Sequence, residues 1–120
     1  MSTKFSRAVR LSSHVEFQTV QRRGRRVAAR YVTLIGEPNA HGRDRLGIIA
    51  SKRIGSAVTR NRAKRRLREV FRQTSPDEAR QSGRRPFDVV AIARRELVDA
   101  PFEALTRDIH GALRKLRGEK

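Results

Sequence analysis

The stretch Lys52–Arg72 constrains the chain most, because it joins a high positive charge to the spacing of an amphipathic helix. Nine of its residues are Lys or Arg, and Glu69 is its one acid. A segment with so many like charges stays unfolded unless it has an apolar face to bury. Apolar residues do recur at helical spacing, namely Ala63, Leu67, Val70 and Phe71. The stretch therefore predicts a helix over Ala57–Gln73, with Ser56 as its N-cap.

The opposite face of this predicted helix is basic. On a helical wheel of about 100° per residue, four arginines fall away from the apolar side. These are Arg62, Arg65, Arg68 and Arg72. A solvated helix face usually mixes charges of both signs, whereas this one holds a single acid among many bases. Because guanidinium groups are planar, always charged and suited to phosphate oxygens, the face is predicted to bind a polyanion.

The composition points to nucleic acid as that polyanion. The chain has 120 residues and a formal net charge of +17, with 37% hydrophobic and 34% charged residues. This length fits one domain over residues 1–120, in which residues 1–10 are expected to be loosely ordered. No apolar run approaches the roughly 20 residues that span a bilayer, and no segment has the large aromatic face of a membrane-surface helix. Neither a membrane nor a small-molecule substrate is therefore expected as a partner.

Catalytic motifs are missing from the sequence. The chain has no cysteine, which removes disulfides, thiolate catalysis and most zinc sites and fits a cytoplasmic protein. The histidines His14, His41 and His110 fall in different predicted elements, without the spacing of metal ligands. No cluster of acids predicts a two-metal nuclease centre, and no glycine loop predicts a nucleotide phosphate site. The chain itself is predicted to bind rather than to catalyse.

The remaining pattern predicts an α+β fold. A first helix follows Leu11 and ends at Gly24, and a last helix begins near Phe102, with Gly111 in its interior. Strands are predicted at Val27–Ile35, which is open to division into two, and at Leu46–Ser51 and Phe87–Ala93. The order α-β-β-(β)-α-β-α predicts a two-layer sandwich with a small mixed sheet. Because glycine costs a helix about 1 kcal/mol relative to alanine, Gly111 is expected to mark a close approach to a neighbour.

The run RLGIIASKRIGSAVTRNRAKRRLREVFR resembles the protein subunit of bacterial ribonuclease P. The family's hallmark is Arg-Asn-Arg followed by Lys-Arg and Arg-Glu, carried here by Arg60, Asn61, Arg62, Lys64, Arg65, Arg68 and Glu69. The strand, Ser-Lys-Arg and Gly upstream of this motif also fit, as do the first helix, the strand ending in Ala93-Arg94 and the last helix. The resemblance therefore extends over nearly the whole chain.

The resemblance implies a function that composition cannot give. Family members belong to a ribonucleoprotein that removes the 5′ leader from precursor tRNA, and its RNA subunit is the catalyst. Magnesium ions, bound mainly by that RNA, activate water for the hydrolysis. The protein binds the RNA subunit and holds the single-stranded leader in a cleft between the first helix and the sheet. The family fold also implies a left-handed crossover between two parallel strands, against the usual rule.

The resemblance also implies two sets of site residues. The first set is expected to bind the RNA subunit and comprises Arg60, Asn61, Arg62, Lys64, Arg65 and Arg68. The second is expected to line the leader cleft and its rim and comprises Phe17, Tyr31, Ser51, Lys52, Arg53 and Arg94. Gln21 departs from the family pattern, in which many members carry a second aromatic residue. Judged from its spacing alone, Phe17 is more simply a core residue.

Two other functions remain open at this point. Composition alone fits a ribosomal protein or a general RNA chaperone equally well. A stand-alone nuclease is less favoured, because the sequence has no cluster of acids to hold catalytic metal ions.

Overall fold

The structure is a computed structural model that describes residues 11, 14–40, 42–73 and 86–118. The described residues form three α-helices and four β-strands. The helices are α1 (His14–Arg23), α2 (Ala57–Gln73) and α3 (Phe102–Leu116). The strands are β1 (Arg25–Ala28), β2 (Val32–Pro38), β3 (Arg45–Ile49) and β4 (Phe87–Ala93). Short 3-10 helices at Lys52–Ile54 and Arg95–Asp99 precede α2 and α3.

The four strands form one mixed sheet in the order β1-β2-β4-β3. Strand β2 pairs antiparallel with both β1 and β4, while β3 and β4 are parallel. Helix α2 lies between β3 and β4 in the chain, so the parallel pair is joined by a crossover, as parallel strands require. The expected α+β class and the small mixed sheet are confirmed.

One face of the sheet carries the larger hydrophobic cluster. Residues that alternate along the strands, such as Leu34 and Ala91, point to this face and pack beneath α2 and α3. Leu67 of α2 and Leu105 and Ile109 of α3 are fully buried in the same cluster. The apolar residues whose spacing predicted both helices are therefore the residues that pack α2 and α3 against the sheet.

The other face of the sheet is covered in part by α1. Leu11 and Val20 form a smaller cluster there with Ile35 and Val90, and Phe17 packs against it. A Cβ atom on Gly47 would lie 2.6 Å from Phe17 Cζ, so the ring rests directly on the backbone of β3.

Helix α1 crosses the strands rather than following them. Its first half lies over β3, where Phe17 meets Gly47. Its end lies over β2, because a Cβ on Gly24 would be 2.9 Å from Ile35 Cγ2. Helix α1 therefore covers part of this sheet face, and the rows of residues beyond α1 remain accessible to solvent.

Several element bounds differ from the sequence prediction for local reasons. The predicted strand Val27–Ile35 is two strands, because the chain reverses between Ala29, whose N–H donates to the carbonyl of Val32 at 2.9 Å, and Val32 itself. The close approach expected at Gly111 is wrong, since nothing lies within 4 Å of a Cβ placed there. The loose order expected for residues 1–10 concerns a segment that lies outside the described residues.

Candidate nucleic-acid interface

Helix α2 begins where its capping residue predicts. The N–H of Thr59 donates a hydrogen bond to Ser56 Oγ at 3.3 Å, and the two hydroxyl oxygens lie 3.1 Å apart. Gly55, just before the cap, has φ of 144°, which glycine adopts without steric cost. The sharp turn at Gly55 therefore ends the preceding 3-10 helix and lets α2 start on Ala57.

The two faces of α2 separate as predicted. Ala63, Leu67 and Val70 are fully buried, while Phe71 is half-buried against the larger cluster. The arginines of the opposite face are all exposed, and we call them the α2 ridge: Arg62, Arg65, Arg68 and Arg72. Asn61 is exposed beside the ridge, and Lys64 is half-buried along its margin. Arg60 is half-buried at the start of the helix, on the same side as Ala63 and Leu67. The six residues expected to bind the RNA subunit therefore lie on one helix.

The charges along the ridge are not equivalent. Arg72 donates to both carboxylate oxygens of Glu69, with Nε 3.2 Å from Oε2. Hydrogen bonding and attraction to Glu69 raise the pKa of Arg72, which therefore keeps its charge but shares it with an acid. Arg62, Arg65 and Arg68 form no ion pair with any described residue, so their charge is fully available to a phosphate.

Arg66 has a different role from its neighbours. Its Nη1 donates to the carbonyl oxygen of Val98 at 2.7 Å, and its Nη2 donates to that of Ala100. These carbonyls lie at the end of the second 3-10 helix, so Arg66 ties α2 to the segment that leads into α3. The helical spacing alone does not distinguish this structural arginine from the exposed ones.

A second basic surface lies on the sheet face that α1 partly covers. The strand register places four residues, one from each strand, in a row next to α1. We call this row the platform: Ala28, Thr33, Ile92 and Ile49. Ile49 and Ile92 are half-buried against the cluster of α1, so the platform has an apolar floor that is open to solvent.

Basic and polar side chains surround the platform. Arg94 Nη2 donates to Thr33 Oγ1 at 3.3 Å, which places this arginine over the same face. Ser51, two residues after Ile49, is exposed, as are Lys52 and Arg53 in the 3-10 helix that follows. Four of the six residues expected at the leader cleft, Ser51, Lys52, Arg53 and Arg94, therefore lie at this end of the sheet.

The two aromatic residues expected in the cleft are not brought together. Phe17 belongs to the cluster under α1, whereas Tyr31 is buried in the larger cluster on the opposite face. The N–H of Tyr31 donates to Asp108 of α3 at 2.8 Å, and Arg30 lies over its ring at 5.2 Å. Tyr31 therefore has a packing role in the structure, with 6% of its surface exposed.

An ion-pair network that the sequence did not reveal holds α1 on the sheet. Arg45 donates to both oxygens of Asp88, at 2.9 and 2.8 Å, and its Nη1 lies 2.7 Å from Glu16 of α1. Asn39 Nδ2 also donates to Asp88 at 2.7 Å. The hydrogen bond to Asp88 is the main reason that the pKa of Arg45 is raised in the folded protein. The stability that follows from this raised pKa is therefore fully present below the ordinary arginine pKa.

These ion pairs also separate the acids from the platform. Glu16 and Arg23 both reach from one flank of α1 toward the strand ends, where Arg23 lies 4.0 Å from Glu37. Helical geometry then turns the flank that carries Gln21 toward the platform. The acids of this sheet face are thus paired with arginines on one side of α1, and the platform on the other side is bordered by cations.

Neither a metal centre nor a membrane span is found in the described residues. No group of three or more His, Asp or Glu side chains there could hold a metal ion. None of the helices that the structure describes is both long and apolar enough to cross a bilayer.

Comparison with known proteins gives a consistent result. The ribonuclease P family model matches residues 5–117. The ribonuclease P protein component of Symbiobacterium thermophilum is 39% identical over 104 residues, which cover 86% of this chain and 86% of that protein. That of Caldanaerobacter subterraneus subsp. tengcongensis is 36% identical over 106 residues, covering 88% and 87%.

Solved structures agree in fold. The ribonuclease P protein from Staphylococcus aureus is 29% identical and superposes with a TM-score of 0.70, covering 89% of this chain and 94% of that one. The protein from Thermotoga maritima is 26% identical with a TM-score of 0.70, covering 92% and 97%. With a family model that matches nearly its full length, this chain belongs to the family of ribonuclease P protein components, the protein subunits of the ribonucleoprotein that matures the 5′ end of tRNA.

Proposed function

We propose that the α2 ridge binds the RNA subunit of ribonuclease P. The observation that carries the proposal is that Arg62, Arg65 and Arg68 are exposed on one face, opposite a fully buried face of the same helix. A packed helix holds the backbone positions of these arginines at fixed spacing, so little backbone entropy is lost when phosphates dock, and each planar guanidinium matches the phosphate oxygens. Asn61 adds an amide beside the arginines, Lys64 adds charge along the margin, and Arg60 adds charge at the start of the helix.

The platform is the proposed site for the single-stranded leader of precursor tRNA. Its floor of Ile49 and Ile92 suits the faces of bases of any sequence, and Phe17 borders it under α1. Lys52 and Arg94 stand where the phosphates of such a strand would run. Ser51 and Arg53 complete the proposed rim.

Two features of the chain shape this proposed cleft. Gln21 replaces an aromatic residue that many family members carry, so the α1 flank offers hydrogen bonds rather than a ring for stacking. Tyr31 is proposed to act on the leader site only through the fold. Its burial and its backbone hydrogen bond to Asp108 support a role in holding the turn between β1 and β2.

Catalysis is proposed to rest with the RNA subunit. Mg²⁺, the ion that the family resemblance implies, would be bound mainly by that RNA and would supply the activated water. This chain contributes no step of the hydrolysis itself in our proposal. Its cations lower the electrostatic repulsion between the RNA subunit and the precursor tRNA. The proposed location of the reaction is the cytoplasm.

Reconstitution tests the proposal directly. The chain is mixed with the ribonuclease P RNA of the same genome, and cleavage of a precursor tRNA is measured as the Mg²⁺ concentration is lowered. The protein alone should not cleave, and its addition should restore cleavage at Mg²⁺ concentrations where the RNA alone fails. A chain that leaves the RNA's activity unchanged, or that co-sediments with ribosomes instead, would support the ribosomal or chaperone alternative.

A further inference from the structure

The segment Arg22–Arg30 forms a basic surface that the proposed function does not use. Five of its nine residues are arginines, and all five are exposed: Arg22, Arg23, Arg25, Arg26 and Arg30. The segment spans the end of α1, all of β1 and the turn before β2. It lies at the edge of the sheet opposite β3.

Most of these arginines have an identifiable local contact. Within the described chain, Arg23 pairs with Glu37 at 4.0 Å, and Arg30 lies over the Tyr31 ring. Arg25 Nη1 is 4.0 Å from where a Cβ on Gly118 would be, so it reaches toward the end of α3 on the other face of the sheet. There the negative end of the helix dipole gives Arg25 a structural reason for its charge.

Arg26 has a different orientation, which the register defines. It pairs with Ile35, whose side chain lies under α1, so Arg26 is on the α1 face of the sheet. Ala28, two residues later on the same face, is the β1 member of the platform row. Arg26 therefore stands beside the platform at the edge formed by β1, with its side chain exposed.

The positions of the helices give the platform a direction. Helix α2 packs against β3 and β4, and α3 packs against β1 and β2. If the α2 ridge holds the catalytic RNA, the cleavage site lies on the β3 side, and the leader runs along the row toward β1. The row crosses three strand spacings, about 14 Å, before it reaches the edge.

We propose that Arg26 binds a phosphate of the leader beyond the platform, farther from the cleavage site, and so makes affinity depend on leader length. The inference rests on the proposed function, because it needs a leader that lies on the platform. Its physical basis is the exposed guanidinium of Arg26, which β1 places on the α1 face of the sheet at the edge where an extended polynucleotide leaves the apolar floor. Short leaders that end on the platform cannot reach it.

The test uses holoenzyme reconstituted with its RNA subunit and precursor tRNAs whose leaders are lengthened one nucleotide at a time. For the unsubstituted protein, binding should tighten again when the leader grows past the platform. Arg26→Ala should remove this second gain and lower the salt slope for long leaders by about 0.7, the value for one phosphate contact with a single strand. Short leaders should bind equally well to both proteins.

Matched variants make the outcome decisive. Arg25→Ala changes the neighbouring residue on the opposite face and should follow the unsubstituted protein at every length, and Arg26→Lys should keep most of the gain. The inference fails if Arg26→Ala keeps the full gain, or if Arg25→Ala loses as much. Loss of cleavage or of leader binding by the unsubstituted holoenzyme would instead contradict the proposed function.

Discussion

The guanidinium of Arg45 and the carboxylate of Asp88 face each other across the parallel strands β3 and β4, joined by two hydrogen bonds of 2.9 and 2.8 Å. Asp88 is 7% exposed, the one buried charged residue in the described chain. The pair also engages Glu16, so it connects the sheet to α1 and holds in place the helix that borders the platform.

Asp88→Ala should destabilise the fold, because it leaves Arg45 with one acid instead of two. We expect a loss of about 3 kcal/mol, at the low end for a broken buried pair since Glu16 remains. Urea unfolding followed by circular dichroism measures this. Glu37→Ala, which breaks an ion pair at 4.0 Å with a mostly exposed Arg23, is the control and should cost less than about 1 kcal/mol. Equal losses would show that the Arg45 network adds no special stability.

Arg65→Ala should weaken RNA binding for all sequences. Removing one phosphate contact lowers the slope of log affinity against log salt by about 0.7–0.9. Filter binding of the RNA subunit over a range of salt concentrations gives the slope. Arg114→Ala, at an exposed position on α3, is the control for loss of one charge. If both variants change the slope alike, the RNA responds to net charge rather than to the α2 ridge.

Arg66→Ala should affect the fold rather than the RNA contact. Its guanidinium binds the carbonyls of Val98 and Ala100, and a hydrogen bond to a charged group contributes about 1.5–3 kcal/mol. Thermal unfolding should therefore detect a loss in this range, while the salt slope of RNA binding stays unchanged under conditions where the variant is folded. A lowered slope with full stability would place Arg66 among the RNA-binding residues instead.

Leu67→Ala should destabilise the protein by about 2–5 kcal/mol, because the fully buried side chain leaves a cavity under α2. Val58→Ala on the same helix is the control, since Val58 is 79% exposed and its loss should stay within about 0.5 kcal/mol. Chemical unfolding of both variants compares them. A small effect at Leu67 would mean that the helix does not bury this face.

Gly111→Ala should stabilise α3. Glycine in a helix interior costs about 1 kcal/mol relative to alanine, and nothing lies within 4 Å of the added Cβ. A rise in the midpoint of thermal unfolding is the expected result. Gly47→Ala is the matched contrast, because its Cβ would lie 2.6 Å from the Phe17 ring and should destabilise α1 packing. A fall in stability for Gly111→Ala would reveal a neighbour at that position.

The sequence predicted those features that depend on local spacing. Helix α2 begins and ends at the predicted residues, and strand β4 does too, because a capping residue marks the start of the helix and a mostly apolar run defines the strand. The family resemblance supplied the functional class. The exposure of the ridge followed from the same helical period that buries Leu67.

Features that depend on contacts between distant segments could not be predicted in this way. Asp88 sits inside an apolar strand, and only the strand register reveals Arg45 opposite it. Arg66 and Arg65 are neighbours in one basic run, yet only the position of Val98 separates their roles. The family resemblance placed Tyr31 at the leader cleft, whereas the structure buries its side chain in the larger cluster, and its backbone N–H donates to Asp108 of α3.

The path of α1 across the strands affects the electrostatic potential on this face of the sheet. Because Glu16 and Glu37 are neutralised on one flank of the helix, the local field on this face is asymmetric, and its positive side is the open one. A polynucleotide diffusing toward the face would be turned and drawn in from that side before any base touches the protein. Helix α1 thus separates the paired acids from the open basic side, so an incoming strand would approach from the basic side. Raising the ionic strength should lower the association rate constant far more than it raises the dissociation rate constant.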